Sequence, residues 1–162
     1  MWDSLAEKDK QRIVWRMMES ADTNSDATRW TIKLRQGVTF SDGRKLTAKD
    51  VMFSLRTWMS QPGSQSGWLK PLDLASSRIE DDYTLTLQLH KPVGAFDLLL
   101  AQSVFIFPEN TQDFTSAIGS GPYTLKSWTQ DKSVLQARRD YWDAEHGGPW
   151  LDEIQLFAVS DT

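Results

Sequence analysis

Few residues in this sequence could act as a nucleophile or as a general base. The 162 residues include two histidines, His90 and His146, and no cysteine. The absence of cysteine excludes disulfides, thiol nucleophiles and Cys-ligated metal sites. A hydrolase would need a serine beside one histidine, and no serine stands in a Gly-x-Ser-x-Gly turn. The glycines that flank Ser120 favour a tight backbone turn and not a nucleophile. A hydrolase that uses His90 or His146 nevertheless stays one alternative.

Two short segments carry side chains of the kind that bind metal ions. Residues 22–26 match the opening of a calcium loop, but Ala27 and Lys33 stand where such a loop has glycine and a bidentate glutamate. Three further ligand-type residues are spaced by three positions: Asp140, Asp143 and His146. Such groups are more often solvated surface than metal sites, because no partner that would orient the ligands is identifiable. We therefore predict no bound metal and no cofactor.

The composition favours a binding domain. The 18 Lys+Arg and 22 Asp+Glu give a net charge of −4, which disfavours contact with nucleic-acid phosphates. Residues 119–122 lack the spacing of a phosphate-binding loop. Eight tryptophans suit a core with a polar rim or a ligand cleft, because an indole ring buries a large area and still needs a partner for its N–H. No apolar stretch is long enough to span a bilayer.

Hydrophobic periodicity predicts the elements that would position a binding site. Residues 30–35 and 83–89 alternate apolar and polar side chains, which predicts half-buried strands. A helix over residues 47–59 begins at Thr47, where a capping box with Asp50 can form. Three residues on one face of this helix are expected to be buried: Val51, Leu55 and Trp58.

The remaining elements are shorter. Residues 77–80 should pair with 83–89 as a hairpin across Asp81–Asp82, and residues 95–101 should form a short buried helix. Residues 7–29 are expected to be polar and irregular. Three strands are predicted near the carboxyl terminus: 123–128, 134–138 and 153–159. This order contains no alternating βαβ units and predicts a mixed α+β fold.

Four motifs occur in order along the chain. They are WTIKLRQGVTFSDG at Trp30–Gly43 with LTAKDV at Leu46–Val51, then DDYTLTL at Asp81–Leu87, GSGPYTLKSW at Gly119–Trp128, and RDYW at Arg139–Trp142. Together they resemble the family 5 extracellular solute-binding proteins, the oligopeptide-, dipeptide- and nickel-binding receptors of ABC importers. The resemblance extends from Trp2 to Phe157.

The resemblance implies that the chain forms part of the first lobe of a two-lobed periplasmic-binding-protein-like fold. This part would have an α+β structure, with mixed and antiparallel sheets and short helices. By this analogy residues 10–117 form an α+β subdomain peculiar to the family. Residues 1–9 and 118–162 would supply strands of a partial main sheet, and the second lobe would be absent from this chain. The implied location is periplasmic or at the cell surface, with or without a lipid anchor.

The resemblance also implies a non-enzymatic function and a set of ligand-binding residues. These residues are Asp3, Trp68, Gln102 and Ser103. The expected partners are a peptide or small-molecule ligand and the ABC permease subunits, with no nucleic acid. The alternative from another class is a self-contained, aromatic-rich module that binds carbohydrate or protein.

The three carboxyl-terminal strands should expose apolar side chains if the rest of their sheet is missing. Seven residues are expected on that surface: Tyr123, Leu125, Val134, Leu135, Ile154, Leu156 and Phe157. Open strand edges with apolar side chains favour self-association. We therefore expect the chain to pair with itself through residues 118–162 and not through residues 30–90.

Overall fold

A computed structural model describes residues 2–9, 12–61, 67–101, 104–113 and 118–158. The elements, in chain order, are β1 (Ala6–Asp9), β2 (Arg12–Trp15), β3 (Met18–Thr23), β4 (Arg29–Leu34), α1 (Ala48–Ser60), β5 (Leu72–Asp81), β6 (Thr84–Leu89), α2 (Phe96–Leu100), β7 (Tyr123–Trp128), β8 (Lys132–Ala137), α3 (Ala144–Gly147) and β9 (Glu153–Phe157). The described strands form three antiparallel sheets. The mixed α+β prediction is confirmed.

The largest sheet has the strand order β3-β4-β6-β5. The predicted strands at 30–35 and 83–89 are its two central strands, which pair so that Ile32 lies opposite Leu85 and Trp30 opposite Leu87. All four of these side chains are buried on one face of the sheet, as the period-two alternation predicts. The predicted hairpin is confirmed, and its first strand begins earlier, at Leu72.

Helix α1 covers this sheet and forms part of the same core. Its predicted capping box is present: the Thr47 backbone N–H donates to Asp50 Oδ2 at 2.7 Å. Val51 and Leu55 are buried as predicted. Trp58 is half-buried instead, because it lies near the end of the helix, where its ring reaches the surface beside Phe105.

The expectation that residues 7–29 are irregular is wrong. Strands β1, β2 and β3 occupy most of this range. Strands β1 and β2 form a two-stranded hairpin, and β3 is an edge strand beside β4. An edge strand is held by backbone hydrogen bonds on one side and leaves its other edge unpaired within the sheet, so its sequence need not alternate strictly. Met17 and Met18 nevertheless reach the core.

The three carboxyl-terminal strands form the sheet β7-β8-β9, as predicted. Of the seven apolar residues expected on its surface, Leu156 and Phe157 are exposed, whereas Val134 is buried. Four are half-buried: Tyr123, Leu125, Leu135 and Ile154. Within the described ranges, no helix is long and apolar enough to cross a membrane.

Candidate functional site

The amino-terminal segment lies alongside the segment that follows α2. The Ile106 backbone N–H donates to the Asp3 carbonyl oxygen at 3.2 Å, and Ser4 forms an antiparallel bridge with Phe105. The two segments are about a hundred residues apart in the sequence. Their pairing brings the Trp2 ring against the Phe107 ring.

Three aromatic rings line a cleft between these segments and the last turn of α1. The Phe107 ring centroid lies 5.5 Å from the Trp2 centroid and 5.5 Å from the Trp58 centroid. The cleft has a volume of about 460 Å³, and Thr57 and Gln61 complete its described lining. We call these five residues the aromatic cleft. Its volume lies within the usual range for small-ligand pockets, about 300–1,000 Å³.

Helix α1 is joined to the wall of the aromatic cleft by a buried serine. Ser54 Oγ accepts a hydrogen bond from the Phe107 backbone N–H at 2.8 Å and donates to the Asp50 carbonyl oxygen at 2.7 Å. Asp50 Oδ1 accepts from the Glu109 backbone N–H at 2.7 Å. The same helix therefore supplies two residues of the cleft and fixes the segment that carries Phe107.

Asp3 follows Trp2 in the sequence and carries a partly buried carboxylate. Its Oδ2 accepts a hydrogen bond from the Tyr141 hydroxyl at 2.8 Å, and its backbone N–H donates to Ser120 Oγ at 3.1 Å. Burial raises the pKa of Asp3, and the hydrogen bond from Tyr141 and the charge of Arg16 oppose that rise in part. Burial and the Asp3 carboxylate also raise the pKa of Tyr141, so its hydroxyl stays protonated and donates.

Arg138 holds the loop on which both Trp2 and Asp3 depend. Its guanidinium is buried and donates to the carbonyl oxygens of Thr39, Phe40, Gly119 and Gly121 at 3.1–3.4 Å. In the same loop, the Ile118 carbonyl oxygen accepts the Trp2 indole N–H at 3.0 Å. The sequence alone assigns no structural role to Arg138. The sequence signal for this contact is the run of small residues at 119–121, because small side chains leave the backbone carbonyl groups open to a donor.

The four predicted ligand-binding residues have different positions. Asp3 follows Trp2 in the sequence and is not part of the described lining of the aromatic cleft. Trp68 is exposed on the surface after residues 62–66, and it is not part of the described lining of the cleft. Gln102 and Ser103 lie outside the described residues. That these four residues contact a ligand stays a prediction. The sequence analysis missed the roles of Trp2, Trp58 and Phe107, whose ring types alone did not distinguish a cleft from a core.

The side chains that resembled metal ligands are engaged within the protein. Asn24 Oδ1 accepts from the backbone N–H groups of Thr28 and Arg29 at 3.0 Å, and thereby closes the turn after β3. Asp140 pairs with Arg138, and Asp143 Oδ2 lies 3.1 Å from Arg16 Nη1. Among the described residues, no group of three His, Asp or Glu side chains is arranged to hold a metal ion.

Both histidines lie at the surface beside a carboxylate. His90 Nδ1 is 3.9 Å from Asp73 Oδ2, and His146 Nδ1 is 3.1 Å from Asp143 Oδ1. Their side chains are 63% and 76% exposed, which leaves both rings in water. Ser120, in contrast, is fully buried and accepts the Asp3 backbone N–H. The structure does not bring this serine and the two histidines into one site.

Comparison with known proteins identifies the family. Residues 12–162 match the model of the bacterial extracellular solute-binding proteins, family 5. The chain belongs to this family. The oligopeptide-binding protein AppA of Bacillus subtilis is 27% identical over 172 residues, which cover 94% of this chain and 30% of that protein. The glutathione-binding protein GsiB of Escherichia coli K12 is 28% identical and covers 90% of this chain. The chain thus spans about a third of the length of these relatives.

Solved structures of family members share the fold. A nickel ABC transporter protein from Bacillus halodurans superposes with a TM-score of 0.84 at 31% identity, over 99% of this chain and 33% of its own. AppA of Bacillus subtilis, solved in complex with a nonapeptide, gives a TM-score of 0.81 at 26% identity, over 98% of this chain and 34% of its own. The predicted family and lobe-type fold are therefore confirmed.

Proposed function

We propose that this chain forms part of a non-enzymatic receptor that binds a peptide or a similarly small solute for an ABC importer. Its family relatives include proteins named as oligopeptide-binding and glutathione-binding. The receptor works outside the cytoplasmic membrane, in a periplasm or at a cell surface, with or without a lipid anchor. Its macromolecular partners are the permease subunits of the importer.

The aromatic cleft carries this proposal. It offers a concave volume of about 460 Å³ that three aromatic rings line. Mostly apolar walls with a few fixed polar groups are typical of small-ligand sites. The cleft is also built on a helix and paired segments, which hold its geometry without a ligand.

The proposed mechanism is lobe closure. A solute that bridges two lobes shifts the equilibrium from an open to a closed receptor, and the closed form docks on the permease. In the chain alone, a solute in the aromatic cleft keeps much of its surface in water. We therefore expect this chain to bind its solute weakly, with a dissociation constant on the order of 1 mM or above.

The experiment that tests this proposal follows tryptophan indole N–H signals by two-dimensional NMR. The chain contains eight tryptophans, and single Trp→Phe variants assign their signals. A mixture of short peptides is titrated to about 10 mM, and a mixture of oligosaccharides is titrated separately. We expect peptides to shift the Trp2 and Trp58 signals and to leave the Trp150 signal unchanged.

Three other outcomes would each contradict a different part of this proposal. Shifts caused by oligosaccharides alone would favour the carbohydrate-binding module. Shifts confined to Trp68 or Trp150 would place the solute elsewhere on the chain. A complete lack of shifts at 10 mM peptide would contradict the assignment of a peptide site to the aromatic cleft.

A further inference from the structure

The aromatic cleft presents carbon surfaces to a ligand. The indole N–H of Trp58 donates to the Phe105 carbonyl oxygen at 2.9 Å, and the indole N–H of Trp2 is engaged at Ile118. The Thr57 hydroxyl donates to the Phe53 carbonyl oxygen at 2.9 Å. These three donors are used within the protein. A group that enters the cleft therefore meets aromatic ring surface and the Gln61 side chain.

The described lining of the aromatic cleft also carries no charge. Its five residues are two tryptophans, a phenylalanine, a threonine and a glutamine. A charged ligand group would lose hydration here without gaining a counter-ion from the described lining residues.

We propose that the aromatic cleft selects an apolar side chain of the peptide ligand, and prefers an aromatic one. This inference rests on the proposed function, because it specifies which part of the solute enters the same site. A further aromatic ring in the cleft would contact the half-buried indoles of Trp2 and Trp58 edge-to-face or offset. Edge-to-face and offset contacts of this kind are favourable beyond the area that they bury.

The test compares tripeptides that differ in one side chain. Ala-Ala-Ala is the reference, and the series places Phe, Leu, Lys or Glu at each of the three positions in turn. Dissociation constants come from the shifts of the Trp2 and Trp58 indole signals. We expect the best Phe peptide to bind at least about tenfold more tightly than Ala-Ala-Ala, with Leu intermediate. We expect the Glu peptides to bind no more tightly than Ala-Ala-Ala.

A matched pair of variants locates the preference in the cleft. Trp58→Leu removes a wall of the aromatic cleft, whereas Trp150→Leu removes an indole that is 75% exposed elsewhere. We expect the first variant to lose most of the Phe-over-Ala preference and the second to retain it. If Trp58→Leu does not fold, N-acetyl-phenylalaninamide replaces it as a probe of the unaltered chain. It should shift the Trp2 and Trp58 signals and compete with the Phe peptide.

The outcomes separate this inference from the function on which it rests. Equal affinity for all tripeptides would overturn the apolar selection and leave peptide binding intact. Tightest binding of the Lys peptides would also overturn it, in favour of a cation over the ring faces. No binding of any tripeptide would contradict the proposed function itself. A Phe preference that Trp58→Leu leaves unchanged would overturn the assignment to this cleft.

Discussion

The guanidinium of Arg138 is 4% exposed and donates to carbonyl oxygens of two loops that are about eighty residues apart. Replacement by Met would leave several buried carbonyl groups without their donor, each at a cost of about 1–3 kcal/mol. We expect Arg138→Met to lower the free energy of unfolding by about 3 kcal/mol. The neighbouring Arg139 is exposed, so Arg139→Met should change the free energy of unfolding by less than about 0.5 kcal/mol.

Urea denaturation of both variants measures this difference. Comparable stability of Arg138→Met and Arg139→Met would show that the buried guanidinium does not hold the loops. The same loops anchor Trp2 and Asp3, so a folded Arg138→Met should also show altered Trp2 indole signals.

Asp3 gives a prediction about pH. Its folded-state pKa is raised by burial, so the folded chain binds this proton more tightly than the unfolded chain does. The ionised carboxylate therefore costs stability once the pH rises from the ordinary Asp range through the raised value. Asp3→Asn keeps an oxygen that can accept the Tyr141 hydroxyl and removes that cost. We expect the variant to be more stable than the parent at pH 7, with the difference vanishing as the pH falls below the ordinary Asp range.

Thermal unfolding of the parent and of Asp3→Asn across this pH interval provides the measurement. Both proteins contain the same other carboxylates, so the contributions of those groups cancel when the two stabilities are subtracted at each pH. A difference that is constant with pH, or a variant that loses stability at pH 7, would show that burial does not dominate the environment of Asp3.

At the scale of elements, α1 connects the core to the aromatic cleft through Ser54. Ser54→Ala removes the acceptor of the Phe107 backbone N–H in a buried position, which costs about 1–3 kcal/mol. Ser60→Ala, at the exposed end of the same helix, serves as the control and should cost less than about 0.5 kcal/mol. Equal effects of the two substitutions in urea denaturation would contradict this structural role of Ser54.

The elements divide clearly into those that the sequence predicts and those that it does not. Strands β4 and β6 and helix α1 could be predicted because one face of each is buried, which imposes a period on the sequence. Strand β3 could not, because an edge strand depends on its neighbour and its polar side chains face water. The carboxyl-terminal strands were predicted from short alternating runs between turns.

The candidate site was less predictable than the fold. Asp3 could be named from the family resemblance, but the aromatic cleft joins residues near positions 2, 58 and 107. No local pattern links these positions, because they meet only through tertiary pairing of distant segments. Arg138 was missed for a related reason: a buried arginine is identified by the carbonyl groups around it, which the sequence does not show.

At the scale of the whole molecule, the three-stranded sheet exposes large apolar side chains. Phe157 and Leu156 on β9 are 63% and 54% exposed, and Trp150, which precedes β9, is 75% exposed. Strands β7 and β9 are the edge strands of this sheet. We predict that the chain self-associates through residues 118–162. Leu156→Asp should lower the mass measured by static light scattering, whereas Ile79→Asp on the four-stranded sheet should not. A monomeric parent chain at millimolar concentration would contradict this prediction.

The division of the chain into two regions also stays a prediction. We propose that residues 10–117 form one subdomain and that residues 1–9 and 118–162 belong to a separate sheet region. Hydrogen exchange would test it, because separate cooperative units show separate opening free energies. Uniform protection across both regions would contradict the division.

The claim that a peptide binds in the aromatic cleft can be tested by intermolecular nuclear Overhauser effects. The chain is labelled with ¹³C and ¹⁵N and saturated with an unlabelled Phe-containing tripeptide. We predict contacts from the peptide's aromatic protons to the ring protons of Trp2, Trp58 and Phe107. Contacts confined to other rings, such as those of Trp128 or Trp150, would contradict the claim.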